Sequence, residues 1–183
     1  RGVGGGSLQG DAGFPELLSR IGCQIDHLDV GISCVGPSRP GPIMADLGGM
    51  PDATMTLASV LAFSRGQSVL RGVRTLRVKE CDRLAALETE LARIGVDVAT
   101  GVLGDDDVMT IAPPSEVPID AEDDPTPVEF DTYDDHRMAM SLALIGLRRR
   151  NVAIRDPGCV AKTYPSFWRQ LADLVDASRG ASG

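Results

Sequence analysis

The feature that most constrains how this 183-residue chain can fold is that it matches itself. Asp52-Ala53-Thr54-Met55 aligns with Asp135-His136-Arg137-Met138 on the pattern Asp-x-x-Met, and the step from 52 to 135 is an offset of 83 residues. At that offset Lys79 falls on Lys162, and Val69-Leu70-Arg71 falls near Ala153-Ile154-Arg155. A second match joins Leu18-Ser19-Arg20-Ile21-Gly22-Cys23 to Leu91-Ala92-Arg93-Ile94-Gly95-Val96. Stacked copies of one α/β unit follow from this, each too small to bury a core alone. The implied fold class is α/β, with amphipathic helices packed inward beneath antiparallel or mixed outer sheets.

Local patterning fills in the units. Apolar residues at helical spacing predict a helix over 11–21 that stops at Gly22, and alternation predicts a hairpin over 23–35 turned near Asp29. Pro51 opens a helix that runs toward Gly66, followed by a short strand over 67–72. A helix is expected over 79–94, strands over 96–99 and 108–111, and a proline-rich acidic loop up to Asp134. The last third repeats the order, with a helix over 135–147, a strand over 152–155 and a helix over 165–175. Residues 1–176 are therefore expected to form one domain, and 177–183 a flexible tail.

With 43% hydrophobic and 24% charged residues, the chain can bury an ordinary core. A formal charge of -8 argues against a nucleic-acid surface or an anionic membrane as partner, because both need a basic face. No apolar run is long enough to span a bilayer. Cys23, Cys34, Cys81 and Cys159 show neither paired Cys-x-x-Cys spacing nor a histidine cluster, so zinc is not expected. They read as free, mostly buried thiols of a reducing cytoplasm. The run Arg1-Gly2-Val3-Gly4-Gly5-Gly6 lacks an initiator methionine, as a fragment would, and reads as a linker or turn rather than a phosphate loop.

Against that acidic background, Arg77, Lys79, Arg83, Arg137 and Lys162 stand in short segments of mixed charge. They suggest a pocket for a multiply anionic small molecule. Asp52, Lys79, Asp135 and Lys162 are each placed in or just before the first turn of an expected helix, where amides and the helix dipole favour anions. Read without further context, the alternatives are a helix-start cap for Asp52, a solvated helix start for Lys79 and Glu80, and surface salt bridges for Arg83, Arg137 and Lys162.

Five segments in order resemble the 5-enolpyruvylshikimate-3-phosphate synthase family. They are Ser7-Leu8-Gln9-Gly10-Asp11, Met50-Pro51-Asp52-Ala53-Thr54-Met55-Thr56, Leu76-Arg77-Val78-Lys79-Glu80-Cys81-Asp82-Arg83-Leu84, Asp131-Thr132-Tyr133-Asp134-Asp135-His136-Arg137-Met138-Ala139-Met140 and Asp156-Pro157-Gly158-Cys159-Val160-Ala161-Lys162-Thr163-Tyr164-Pro165. The resemblance covers the carboxy-terminal part of such an enzyme and implies one domain of a two-domain fold with its site in the cleft.

It implies transfer of the enolpyruvyl group of phosphoenolpyruvate to the 5-hydroxyl of shikimate 3-phosphate, with loss of phosphate and without metal or organic cofactor. Two anionic substrates must be brought together, and a unit charge pair about 4 Å apart is worth roughly 4 kcal/mol at an effective dielectric near 20. By motif position, Asp52 would act at the 5-hydroxyl, Lys79 near that hydroxyl and the intermediate, and Glu80 in proton transfer at the methylene carbon. Arg83, Arg137 and Lys162 would hold the carboxylate and phosphate of phosphoenolpyruvate, and His136 would tune Glu80 or serve structurally. Thr75 stands where many members carry an asparagine near the shikimate 3-phosphate, and Cys81 where a threonine is common. The family's other phosphate- and phosphoenolpyruvate-binding elements have no counterpart here, which implies a partner amino-terminal domain. A UDP-N-acetylglucosamine enolpyruvyl transferase shares fold and chemistry, and a non-catalytic anion-binding domain is the alternative from another class.

Overall fold

The computed structural model describes residues 10–29, 31–115 and 126–180. The chain divides into two compact units, Arg1–Val117 and Pro118–Gly183, rather than the single domain expected over 1–176. The boundary falls in the proline-rich acidic segment.

In the first unit, a 3-10 turn at Gly10–Gly13 leads into α1 (Phe14–Arg20). The hairpin β1 (Gln24–Leu28) and β2 (Gly31–Val35) follows. Next comes β3 (Met44–Asp46), a short strand that follows the proline-rich loop and was not expected from the sequence. A 3-10 turn at Pro51–Ala53 runs into α2 (Thr54–Leu61), and β4 (Ser68–Arg71) closes the crossover by pairing parallel to β3. After a 3-10 turn at Arg74–Val78 come α3 (Arg83–Ala92) and the long hairpin β5 (Asp97–Leu103) and β6 (Asp106–Ala112). Because β6 also pairs antiparallel to β4, the four strands make one mixed sheet in the order β3-β4-β6-β5.

The expected helix from Lys79 thus begins four residues later. Asp82 sets the start: its carboxylate accepts the backbone N–H groups of Leu84 and Ala85, both at 3.1 Å, and caps α3. Helix α2 is apolar nearly all round, and Met55, Leu57, Ala58 and Leu61 are wholly buried. Helix α3 buries one face through Leu84, Leu87 and Leu91, while β6 turns Asp107, Met109 and Ile111 inward. Buried helices under a sheet are the layering that the repeat implies.

The second unit repeats the plan. Strand β7 (Val128–Phe130) emerges from the acidic segment expected to be loop, α4 (His136–Ala143) continues into a 3-10 turn at Leu144–Leu147, and β8 (Val152–Ile154) pairs parallel to β7. A 3-10 turn at Pro157–Lys162 precedes α5 (Phe167–Gly180). Helix α5 thus passes Asp176, the expected domain end, and four residues of the expected tail are helical, since no proline or glycine interrupts them before Gly180. Residues 181–183 of that tail, the whole of the glycine run over 1–6 and residues 7–9 of the segment Ser7–Asp11 lie outside the described residues. No described helix is long and apolar enough to cross a membrane.

The loops leaving β3 and β4 touch in the first unit. Gly72 has φ 73° and donates its N–H to Asp106 at 2.7 Å, while Leu47 donates to the Arg71 carbonyl at 2.8 Å. A Cβ on Gly72 would strike the backbone of Gly48, coming within 2.7 Å of its Cα. This approach fixes the turn carrying Asp52 beside the turn carrying Arg77. Gly72→Ala is therefore expected to lose about 2–3 kcal/mol from combined left-handed strain and backbone overlap, read as a lower urea midpoint with an unchanged slope.

Candidate active site

In the first unit, Asp52, Lys79 and Glu80, singled out from the sequence, form one cluster around Arg83. The guanidinium is only 1% exposed, yet it is forked between two carboxylates: one terminal nitrogen lies 2.8 Å from Asp52 Oδ1 and the other 2.8 Å from Glu80 Oε2. Lys79 Nζ approaches the same Asp52 oxygen at 3.4 Å. Asp52, Lys79 and Glu80 are each about one-third exposed, at 30%, 32% and 38%, so the cluster is buried at the arginine and open at the other members.

Local chain geometry explains the arrangement. Asp52 belongs to the 3-10 turn before α2, Lys79 and Glu80 to the link after the Arg74–Val78 turn, and Arg83 to the first turn of α3. A buried guanidinium needs its charge matched and its N–H groups accepted, and Asp52 and Glu80 do both. Two formal negatives and two formal positives make the group neutral. That differs from the expected cationic pocket: Arg83 already has both terminal nitrogens engaged, so its immediate role here is to hold two carboxylates in place.

Arg77 also departs from expectation. Its Nε lies 3.3 Å from Asp107 and a terminal nitrogen 3.4 Å from Asp82, which tie the turn to β6 and to the α3 cap. The bond to Asp107 is the leading cause that raises the Arg77 pKa. Asp107 is buried and also faces Arg74 at 3.7 Å. It was missed because the strand was expected to begin at Val108, although 107, 109 and 111 share one inward face. Thr75 is exposed on the same 3-10 turn, and Cys81 is half-buried between Glu80 and Asp82.

The second unit holds His136, Arg137 and Lys162. Asp135 is wholly buried and caps α4, accepting the N–H of Arg137 at 2.8 Å and of Met138 at 3.3 Å. This places the buried His136 and the half-buried Arg137 in the helix's first turn. Lys162, exposed at the end of the Pro157–Lys162 turn, donates to the Asp134 carbonyl at 3.1 Å. Trp168 fixes the start of that turn by donating to the Pro157 carbonyl at 2.8 Å.

The approach to α4 is strained. Tyr133 and Asp134 are consecutive non-glycine residues with φ 55° and 53°, each a conformation that costs about 1–2 kcal/mol. Asp131 offsets this by accepting the Tyr133 N–H at 3.1 Å, and Asp135 donates its own N–H to the Thr132 carbonyl at 2.8 Å. Nothing in the residue types Tyr-Asp announces a left-handed pair.

In the first unit, two anchored carboxylates beside a lysine suit proton transfer; the second unit, taken by itself, holds its cations on a capped, strained turn. Comparison with known proteins gives the family. The profile of EPSP synthase (3-phosphoshikimate 1-carboxyvinyltransferase) matches residues 1–171. The chain belongs to the EPSP synthase family. It is 40% identical over 173 residues to a 3-phosphoshikimate 1-carboxyvinyltransferase of Photorhabdus laumondii, covering 94% of this chain and 37% of that protein. It is 41% identical over 176 residues to one from Thiobacillus denitrificans, covering 95% and 39%. Among solved structures, an EPSP synthase from Acinetobacter baumannii superposes with a TM-score of 0.66 at 26% identity, over 85% of this chain and 37% of that one. The enolpyruvyl transferase NikO from Streptomyces tendae, at 21% identity and a TM-score of 0.59, shares the fold. The chain thus spans well under half the length of these EPSP synthase family relatives and carries one domain of the two-domain fold.

Two expectations follow from the geometry. Asp52→Ala leaves the buried Arg83 half-paired and should cost about 3 kcal/mol, whereas adding Arg83→Met should return at least half of it, measured as a double-mutant cycle in guanidinium chloride. An equal loss in both backgrounds would show that Asp52 and Arg83 are not coupled. Asp135→Ala should cost about 1–2 kcal/mol by removing the α4 cap, with hydrogen exchange at Arg137 and Met138 accelerating before that elsewhere in the helix.

Proposed function

We propose that this chain supplies one half of the active site of a 3-phosphoshikimate 1-carboxyvinyltransferase, acting on phosphoenolpyruvate and shikimate 3-phosphate in aromatic amino acid biosynthesis. The observation that carries the reading is the cluster of Asp52, Lys79, Glu80 and Arg83, because it places two carboxylates on one buried guanidinium within family-matched sequence.

The chemistry requires two proton movements in addition and two in elimination. Asp52 accepts the proton of the 5-hydroxyl as its oxygen bonds to the central carbon of phosphoenolpyruvate, and Glu80 delivers a proton to the methylene carbon. In the second step Glu80 takes a proton back from that carbon, the double bond re-forms, and phosphate departs with the proton that Asp52 had accepted. Lys79 stabilises negative charge beside the hydroxyl. Arg83 positions Asp52 and Glu80, and direct contact with a substrate anion would need that fork to open.

Arg137 and Lys162 are proposed to hold carboxylate and phosphate of phosphoenolpyruvate, and an ammonium that gives one hydrogen to Asp134 retains two for a ligand. His136 is proposed to tune proton transfer and Thr75 to contact the shikimate 3-phosphate. No metal or organic cofactor enters this scheme. An amino-terminal domain is proposed to complete the site, the proposed setting is the cytoplasm, where cysteines outside disulfides are usual, and neither nucleic acid nor membrane is a proposed partner. The family match favours shikimate 3-phosphate over a UDP-sugar acceptor.

The deciding experiment measures phosphate release by the chain alone and mixed with the amino-terminal part of the Photorhabdus laumondii relative, alongside calorimetric titration with each substrate. Weak binding and negligible turnover alone are expected, with turnover appearing on mixing because the missing contacts act mainly in the transition state. Asp52→Asn and Glu80→Gln should each lower that rescued rate at least about a hundredfold. A rescued rate indifferent to both substitutions would leave only a non-catalytic anion-binding role, and full turnover by the chain alone would overturn the half-site.

A further inference from the structure

Outside the ionic clusters, one pair of side chains carries chemistry that enolpyruvyl transfer does not use. Cys23 follows the turn that ends α1, where its N–H donates to the Leu18 carbonyl at 3.0 Å. Cys34 lies in β2 opposite Ile25 of β1. Side chains two apart along a strand share a face, so Cys23 is the diagonal neighbour of Cys34 across the ribbon. The Cys23 pKa is raised, first by burial and then by the nearby Cys34. Both are free, but contrary to the expectation of mostly buried thiols, Cys34 is exposed, and Cys23 is half-buried. Cys81 and Cys159, also half-buried, lie in other segments of the chain.

We propose that Cys23 and Cys34 form a reversible dithiol–disulfide site whose oxidant is a small exposed disulfide of the glutathione class. The exposed thiol reaches a bulky oxidant first. As a thiolate, Cys34 attacks one sulfur of oxidised glutathione, forming a mixed disulfide and expelling one glutathione thiolate. Cys23 then loses its proton and attacks the Cys34 sulfur, which expels the second glutathione. The two protein thiols are oxidised to one disulfide, and one oxidised glutathione is reduced to two thiols.

The position gives the bond a mechanical consequence. A two-stranded ribbon is marginal by itself, and β1–β2 leaves Leu28 and Val35 exposed. A link from residue 23 to residue 34 ties the end of α1 to β2 across the open end of the ribbon. It removes open states from the hairpin without changing its register.

The test incubates the reduced protein with oxidised glutathione and follows intact mass, peptide linkage and hydrogen exchange. Wild type and the double variant C81S/C159S should both lose two hydrogens and yield a Cys23–Cys34 linked peptide. C23S should stop at a glutathione adduct on Cys34, and C34S should show neither adduct nor link at Cys23. Amides in 24–35 should exchange on the order of tenfold more slowly in the oxidised form, and dithiothreitol should restore the original rate. A stable adduct at Cys34 in wild type, or a link that needs Cys81 or Cys159, would overturn the proposal.

Discussion

A guanidinium that is almost wholly out of water sets the order of the first unit. Arg83 could not be buried there without matched carboxylates, and those carboxylates come from different turns of the chain. Asp52 arrives on the turn after β3, and Glu80 on the link after β4 and its 3-10 turn. The ionic cluster therefore ties the two exits of the parallel pair to the start of α3. The Gly72–Gly48 approach brings these exits close enough for the tie to form. Stability and the proposed chemistry share the same atoms: the arginine that satisfies the packing constraint also spaces the two carboxylates proposed to transfer protons.

The second unit solves the corresponding problem differently. Strands β7 and β8 repeat the parallel pairing of β3 and β4, with Val128 opposite Val152 as Met44 is opposite Val69. The helix within each crossover is buried, and a 3-10 turn follows the second strand in both. Yet Asp52 and Asp135, matched in sequence, do different work. Asp52 precedes its helix on a 3-10 turn and pairs with cations, whereas Asp135 is buried and spends its carboxylate capping the helix. Repetition of the backbone plan leaves the side chains free to specialise.

This divergence explains what could be read in the sequence. The α/β repeat, the hairpins and the central helices were legible because periodic apolar residues and glycine stops are local signals. Strands β3 and β7 were not, since each is short and adjoins a proline-rich stretch that reads as loop, and the helix expected at Lys79 begins only where Asp82 can cap it. The motif positions gathered Asp52, Lys79, Glu80 and Arg83, but their pairing depends on turns brought together from distant parts of the chain. Charge alone therefore suggested an open cationic pocket where the structure has a neutral cluster. Asp107 was missed for the same reason, its meaning being set by the arginines across from it rather than by its neighbours in β6.

The acidic composition can be understood from these pairings. A cation at a site for anions would attract solvent counterions and repel its neighbours unless the fold supplied carboxylates to hold it. Arg77 receives Asp82 and Asp107, Lys79 receives Asp52, and Arg155 receives Glu129 at 2.6 Å and Asp131 at 3.5 Å. Asp131 uses the same carboxylate group to accept the Tyr133 N–H in the strained turn before α4. Charge pairing thus extends to backbone strain: the ion pair orients Asp131, and Asp131 supports the left-handed residues that lead to Asp135, His136 and Arg137. The carboxylates that make the chain acidic are part of what holds its cations in place.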